Sequence, residues 1–190
     1  MSNVIVLAGL SGEGKSTIEA NLKKKGWLHI RTNTTRTIRP GETDGVNYNF
    51  RTVEEFEKLK KEGYFLETNQ YANNWYGMSE QGLREAIANK AHSYVTVMEY
   101  NGAIEVKRHF PKEVFCVHVF CPEETVKRRL AERGASPEEI ALRIEEKHIC
   151  TAHLDRICDL KVVNDDVPAE QREEAIEKLT GQIIEAFRKF

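Results

Sequence analysis

Short apolar runs alternate along this chain with longer segments in which apolar residues return every three or four positions. Val4-Ile5-Val6-Leu7-Ala8 is the first run. Residues 94–99 and 114–120 are similar, and residues 28–32 and 160–164 read as two further strands. Runs this short and this apolar predict strands buried on both faces, as in a parallel sheet. Helical spacing follows them. Ile18 and Leu22 mark a helix over residues 16–25, and further helices are expected over 103–109 and 123–133. Ser136-Pro137-Glu138-Glu139 is a capping box with proline at the first helical position, opening a helix that carries Ile140, Leu142 and Ile144. Ile176, Leu179, Ile183 and Phe187 line one face of a C-terminal helix, which therefore packs on the sheet. Strand and helix in alternation predict an α/β fold with a parallel sheet flanked by helices.

The alternation breaks at residues 33–77. Thr, Pro, Gly and Asp punctuate residues 33–50 as loop. Thr52-Val53-Glu54-Glu55 is a second capping box, opening a helix through Lys61 that Gly63 ends. A strand at 64–67 and a hairpin around Asn73-Asn74 follow, so this stretch reads as a small α+β insertion. Ser79 caps the next helix, with Leu83 and Ile87 on one side.

Composition narrows the possibilities. At 190 residues the chain is one globular unit. A net charge of −2 gives no sign of a nucleic-acid or anionic-membrane partner. No apolar run is long enough to span a bilayer, and Met1-Ser2-Asn3 leads into a strand without a signal sequence, so a cytoplasmic protein is expected. The four cysteines, Cys116, Cys121, Cys150 and Cys158, lack close zinc-ligand spacing. Cys116 and Cys121 read as small buried residues facing opposite sides of one strand, and His118 as a sheet histidine rather than a catalyst.

One motif brings chemistry. Gly9-Leu10-Ser11-Gly12-Glu13-Gly14-Lys15-Ser16, then Thr17, fits the phosphate-loop pattern at every fixed position, between a strand and a helix. The glycines let backbone N–H groups wrap phosphate oxygens, and the positive helix end faces the anion. Lys15 would reach the outer phosphates of a nucleotide, and the Ser16 hydroxyl would ligate Mg²⁺. Ser11, Gly12, Gly14 and Thr17 complete the expected nucleotide cradle. Glu99 closes a strand, and ligands of open parallel sheets bind at the carboxyl ends of strands, so Glu99 and the loop should face one cleft. Arg36 and Arg39 suit a planar anion such as phosphate. The arginine-rich helices around Gly134 read either as a mobile cover or as a surface pair laced by Glu132, Glu138, Glu139, Glu145 and Glu146.

Several runs then agree in order and spacing. They are Thr34-Thr35-Arg36-x-x-Arg39-Pro40-Gly41-Glu42, Gly45-Val46-Asn47-Tyr48-Asn49-Phe50, Gly63-Tyr64-Phe65-Leu66-Glu67, Asn74-Trp75-Tyr76-Gly77, Asn101-Gly102-Ala103, Arg129-Leu130-x-x-Arg133-Gly134 and Val163-Asn164-Asp165-Asp166. With the phosphate loop, the chain resembles the guanylate kinase family of nucleoside monophosphate kinases over nearly its whole length. The resemblance implies a P-loop NTPase core at 1–32, 78–124 and 149–190, an acceptor-binding insertion at 33–77 and a helical lid at 125–148. By position it implies that Arg36, Arg39, Tyr48 and Tyr76 clamp the acceptor phosphate, and that Thr32, Glu67 and Glu99 face the acceptor base. Arg133 and Arg143 become the catalytic lid arginines beside Lys15 and Arg36. Arg129 joins the ATP site, and Asn164 lies by the adenine.

The activity implied is Mg²⁺-dependent transfer from ATP to GMP or dGMP, giving GDP or dGDP and ADP. Its alternatives are a kinase for another or modified (deoxy)nucleoside monophosphate and a non-catalytic binding module of the same fold. Leu10, Val97, Glu99, Tyr100, Asn101, Thr32 and Met78 depart from the family pattern. Of these, Thr32, Met78 and Glu99 are expected near the acceptor base.

Overall fold

The computed structural model describes residues 2–39, 41–71 and 73–190, Tyr71 as backbone alone. In chain order the elements begin with β1 (Val4–Ala8), α1 (Lys15–Lys24), β2 (Leu28–His29), β3 (Asn33–Thr34) and β4 (Asn49–Phe50). Next come α2 (Val53–Lys61), β5 (Phe65–Tyr71), β6 (Asn74–Ser79), α3 (Glu80–Ala88), β7 (Tyr94–Met98) and α4 (Tyr100–His109). The chain closes with β8 (Val114–Phe120), α5 (Glu123–Glu132), α6 (Pro137–Ile157), β9 (Leu160–Val163), a short 3₁₀ turn and α7 (Arg172–Phe187).

Five strands form a parallel sheet in the order β2-β7-β1-β8-β9. Successive residues of β1 point to opposite faces, and both faces are covered. Val4, Val6 and Ala8 pack with Leu83, Val106 and Leu154. Ile5 and Leu7 pack with Ile18, Leu22 and Ile183 on the other side. This double burial is why β1 reads as a continuous apolar run and β8 as one broken only by His118. A second sheet, β4-β3-β6-β5, is mixed: β3 pairs β4 in parallel, and β6 runs antiparallel to both β3 and β5. A smaller cluster of Cys121, Val126, Leu130 and Ile144 joins α5 to α6.

Local chemistry sets the ends of the helices. Thr52 and Ser136 both form full capping boxes, with Glu55 and Glu139 reaching back to the cap N–H. Ser79 Oγ accepts from Gly82 N and caps α3. Several elements differ in extent from the expectation, and the short strands β3 and β4 stand within residues 33–50, expected to be loop, because they pair with each other and with β6. β2 stops at His29, because the chain turns into the insertion, where Thr32 O accepts from Asn49 N at 2.9 Å. β5 continues to Tyr71 because its antiparallel partner β6 extends the ladder. α4 starts at Tyr100, with Glu99 as its cap residue. α6 runs unbroken for 21 residues, so the arginine-bearing segment and the core share one helix. Cys116 and Cys121 are buried in separate clusters, and the Cys116 and Cys158 sulfurs stand 3.0 Å apart. His118 Nδ1–H donates to Asp155 Oδ1 at 2.6 Å, inside the sheet face and away from the cleft described next.

Candidate active site

The loop between β1 and α1 has the shape its glycines allow. Gly14, the cap residue of α1, sits in the left-handed region at φ +88. A Cβ there would stand 2.0 Å from Asn164 Nδ2, so any other residue would be strained in its backbone and would displace the Asn164 amide. A glycine cap offers no side-chain oxygen to the first-turn N–H groups; Thr17 N donates back to Gly14 O at 3.1 Å, and the end of the helix ahead of it faces outward to receive an anion. Lys15 is buried, and its ammonium donates to Gly9 O at 2.7 Å, Leu10 O at 2.8 Å and Glu99 Oε1 at 3.1 Å. Ser16 and Thr17 beside it are exposed.

A cleft of about 530 Å³ separates this loop from the second sheet. Ser11, Gly12, Gly14, Lys15, Ser16 and Thr17 form one wall. Thr32, Arg39, Tyr48, Glu67 and Tyr76 form the opposite one, and Glu99 and Arg133 stand between them. The Tyr48 and Tyr76 rings meet edge to face at 6.3 Å. Burial pushes the Tyr48 phenol up, so it stays a neutral donor at physiological pH. Arg36 lies over the Tyr48 and Phe50 rings at 5.5 and 5.6 Å. Its guanidinium grips Glu42 in a two-pronged bond of 3.0 and 2.7 Å, while Glu42 also accepts from Arg39 N at 2.9 Å. The Arg36 hydrogen bond holds the Glu42 carboxyl below its ordinary range. Glu42 thereby closes the loop that carries both arginines.

Glu67 sits at the floor of the insertion sheet. It pairs with Met78 across the β5–β6 ladder, and its carboxylate receives the Met78 backbone N–H. It packs on α4 at Gly102, where a Cβ would stand 3.0 Å from Glu67 Cδ. Gly102 is therefore what lets the carboxylate lie against the start of α4. Burial pushes the Glu67 carboxyl up to about 7, opposed by the Met78 N–H and helped by the charges of Glu105 and Glu99.

An adjoining cavity of about 440 Å³ opens on the far side of the loop. Arg129, Asn164, Asp166, Arg172 and Ile176 line it, and it shares Gly12, Gly14, Thr17 and Arg133 with the cleft. Arg129 donates to Gly12 O at 3.2 Å and to Asp166 Oδ1 at 3.0 Å.

Comparison with known proteins matches this arrangement to one family. A sequence model described as guanylate kinase matches residues 1–186. The chain belongs to the guanylate kinase family. It is 38% identical to a guanylate kinase of Oceanobacillus iheyensis over 168 residues, covering 86% of this chain and 80% of that one. It is 40% identical to one of Streptococcus agalactiae over 168 residues, covering 86% and 79%. In three dimensions it resembles the guanylate kinase of Anaplasma phagocytophilum with a TM-score of 0.72 at 23% identity, covering 99% of this chain and 85% of that one, a likeness of fold.

The positions expected from guanylate kinases do not all converge. Two expected catalytic arginines lie outside the cleft wall: Arg36 is engaged by Glu42, and Arg143 on α6 pairs with Glu146 at 3.0 Å. Of the three arginines expected to be catalytic, Arg133 alone lines both cavities. Glu99 lines the cleft, but its Oε1 is bound to Lys15, at the phosphate end. Met78, expected near the base, is fully buried in the core beside Leu83, so its side chain faces away from the cleft. Asn164 spends its amide on the loop, donating to Glu13 O at 2.8 Å. Glu42 and Gly102 stood in the motif runs without a role, and only their neighbours in space supply one. The arginine helices are laced by ion pairs, Arg128 with Glu132 and Asp166 among them.

Proposed function

We infer that the chain transfers the terminal phosphoryl group of ATP to GMP, giving ADP and GDP. The observation that carries this reading is a single cleft with a phosphate loop on one wall and a half-buried carboxylate, Glu67, on the other. Guanine presents N1–H and N2–H donors side by side, and an ionised carboxylate accepts from both. Adenine presents one donor and one acceptor there and cannot satisfy it.

The two phosphates repel each other, so the site must supply positive charge and orientation more than a base. Lys15 and the N-terminus of α1 receive the ATP phosphates. Arg39, Tyr48 and Tyr76 hold the acceptor phosphate, joined by Arg36 once it exchanges Glu42 for that phosphate. Arg133, at the junction of the two cavities, stands where the phosphoryl group crosses. Arg143 reaches the centre when its side chain exchanges Glu146 for the transferred phosphoryl group. The adjoining cavity, with Arg129 and Asn164, takes the adenosine end.

The residues present fit Mg²⁺ arriving with ATP. Among the described residues no cluster of three or more His, Cys, Asp or Glu could hold a metal on its own. An exposed Ser16 hydroxyl at the start of α1 offers one oxygen, and nucleotide phosphates and water supply the rest, as Mg²⁺ prefers. Val97, in the cleft wall, adds no ligand. Bound there, Mg²⁺ would supply positive charge to offset that of the transferred phosphoryl group. The domain division into core, insertion at 33–77 and lid at 125–148 follows the same reading. Among the described residues, no helix is long and apolar enough to cross a membrane.

The test is ADP release from Mg-ATP with GMP, dGMP, AMP, UMP and dTMP. GMP should give the highest kcat/KM. A pyrimidine preference would overturn the reading of Glu67, and no turnover with any of them would overturn the transfer itself.

A further inference from the structure

The phosphate loop carries a charge of the wrong sign. Glu13 stands between Gly12 and Gly14, and its side chain is 1% exposed. A carboxylate buried in a loop that must receive an anion opposes that anion unless something cancels it. The cancelling group is Lys147 of α6, 4% exposed, whose Nζ forms an ion pair with Glu13 Oε1. The same ammonium lies over the Phe120 ring, 4.2 Å from its centre. The other carboxylate bonds stay within the loop and its neighbour: Oε2 accepts from Leu10 N at 2.7 Å, and Oε1 from Cys121 N at 3.4 Å. Leu10 O in turn accepts from Lys15 at 2.8 Å. A continuous chain of contacts thus runs from Lys147 through Glu13 and Leu10 to Lys15. Space for it is set aside, since a Cβ on Gly9 would stand 2.6 Å from Glu13 Oε2.

We propose that Lys147 is a positioning residue for phosphoryl transfer: it neutralises Glu13, fixes the phosphate loop in its anion-receiving shape, and ties that loop to helix α6. Arg143 lies one turn earlier on α6, so the same tie sets the distance between loop and lid arginine. The proposal rests on reading this loop as the ATP site. Its consequence is asymmetric. Without Lys147 the Glu13 charge stays buried beneath the ATP phosphates. The acceptor wall, on the second sheet, contains neither residue.

The test uses the full-length enzyme and Lys147→Met, which keeps an unbranched stem of similar length. Affinity for Mg-ATP is measured by calorimetry, and KM is measured separately for Mg-ATP and GMP. Lys147→Met should weaken Mg-ATP about tenfold and leave the GMP KM within about twofold. Adding Glu13→Gln removes both charges and should return Mg-ATP affinity to within about threefold of the wild type. A role confined to stability would lower the melting temperature, raise both KM values alike and gain nothing in affinity from the second change. Any of three results overturns the proposal: wild-type ATP affinity in Lys147→Met, equal rises in both KM values, or no recovery in the double variant. If Lys147→Met does not fold, the double variant decides alone: folded with Mg-ATP within threefold supports the proposal, and folded without ATP binding overturns it. Failure of the underlying reading shows separately, as unchanged ATP affinity in Lys15→Ala.

Discussion

Glu67 is a carboxyl that must be ionised to read guanine and is buried enough to resist ionisation. Its ordinary value of 4.5 is raised to about 7 in the folded chain. That displacement corresponds to about 3 kcal/mol of differential stability between the two protonation states. The sign follows from its direction. A raised carboxyl adds stability that is fully present below pH 4.5 and lost as pH rises through 7. Binding runs the other way, because guanine donates two N–H groups to the ionised form. The kcat/KM for GMP should therefore fall about tenfold per pH unit below 7, and about 30-fold at pH 5.5 relative to its alkaline plateau. At saturating GMP the limb should move to lower pH, since the bound base favours the anion. The acceptor phosphate titrates near 6 and bends the same profile. Glu67→Gln separates the two: it removes the limb at 7 and keeps the one near 6. The amide also offers one donor and one acceptor, so the ratio of GMP to AMP turnover should drop sharply. At pH 8 Glu67→Gln should resist urea better than the parent chain. A GMP kcat/KM that is flat between pH 6.5 and 8, or a limb at 7 that survives in Glu67→Gln, refutes the reasoning.

Other outcomes follow from the same geometry. Lys15→Ala should cut turnover about 10²–10³-fold with an unchanged circular dichroism spectrum; wild-type turnover would remove the loop from the ATP site. Gly102→Ala places a methyl 3.0 Å from Glu67 Cδ and displaces the carboxylate, so KM for GMP should rise about tenfold while KM for ATP stays put. An analogue joining both nucleosides through a polyphosphate should shrink the radius of gyration in small-angle scattering, because Arg36 and Arg143 must leave Glu42 and Glu146 to reach one centre. An unchanged radius would count against closure.

Much of this was legible before any coordinates, for identifiable reasons. β8 coincides with the run at 114–120 because a strand buried on both faces is apolar at nearly every position, His118 being the exception. The capping boxes at Thr52 and Ser136 are fixed by bonds spanning three residues, so they could be read locally. The phosphate loop is a backbone requirement written in glycines. Side-chain destinations were harder. Met78 follows Gly77 in a strand that passes from the cleft wall into the core, beside an irregular pairing at Phe65 and Glu67, and no periodicity in six residues reveals the crossing. Glu99 sits where the sequence places it, but its longer stem reaches Lys15, a residue 84 positions away. Glu13 and Lys147 are 134 positions apart, and nothing in either neighbourhood announces a partner. Glu42 was visible as the end of a motif, and only the folded loop shows that it holds Arg36.

The central claim is that one cleft joins an ATP phosphate loop to a carboxylate that reads guanine. Single-turnover transfer of labelled γ-phosphate from Mg-ATP to GMP and to AMP, by the wild type and by Glu67→Gln, tests it most directly. Label should pass quickly to GMP and little to AMP, and Glu67→Gln should lose that preference with ATP affinity unchanged. Equal labelling of GMP and AMP by the wild type, or a GMP preference untouched by Glu67→Gln, would contradict it.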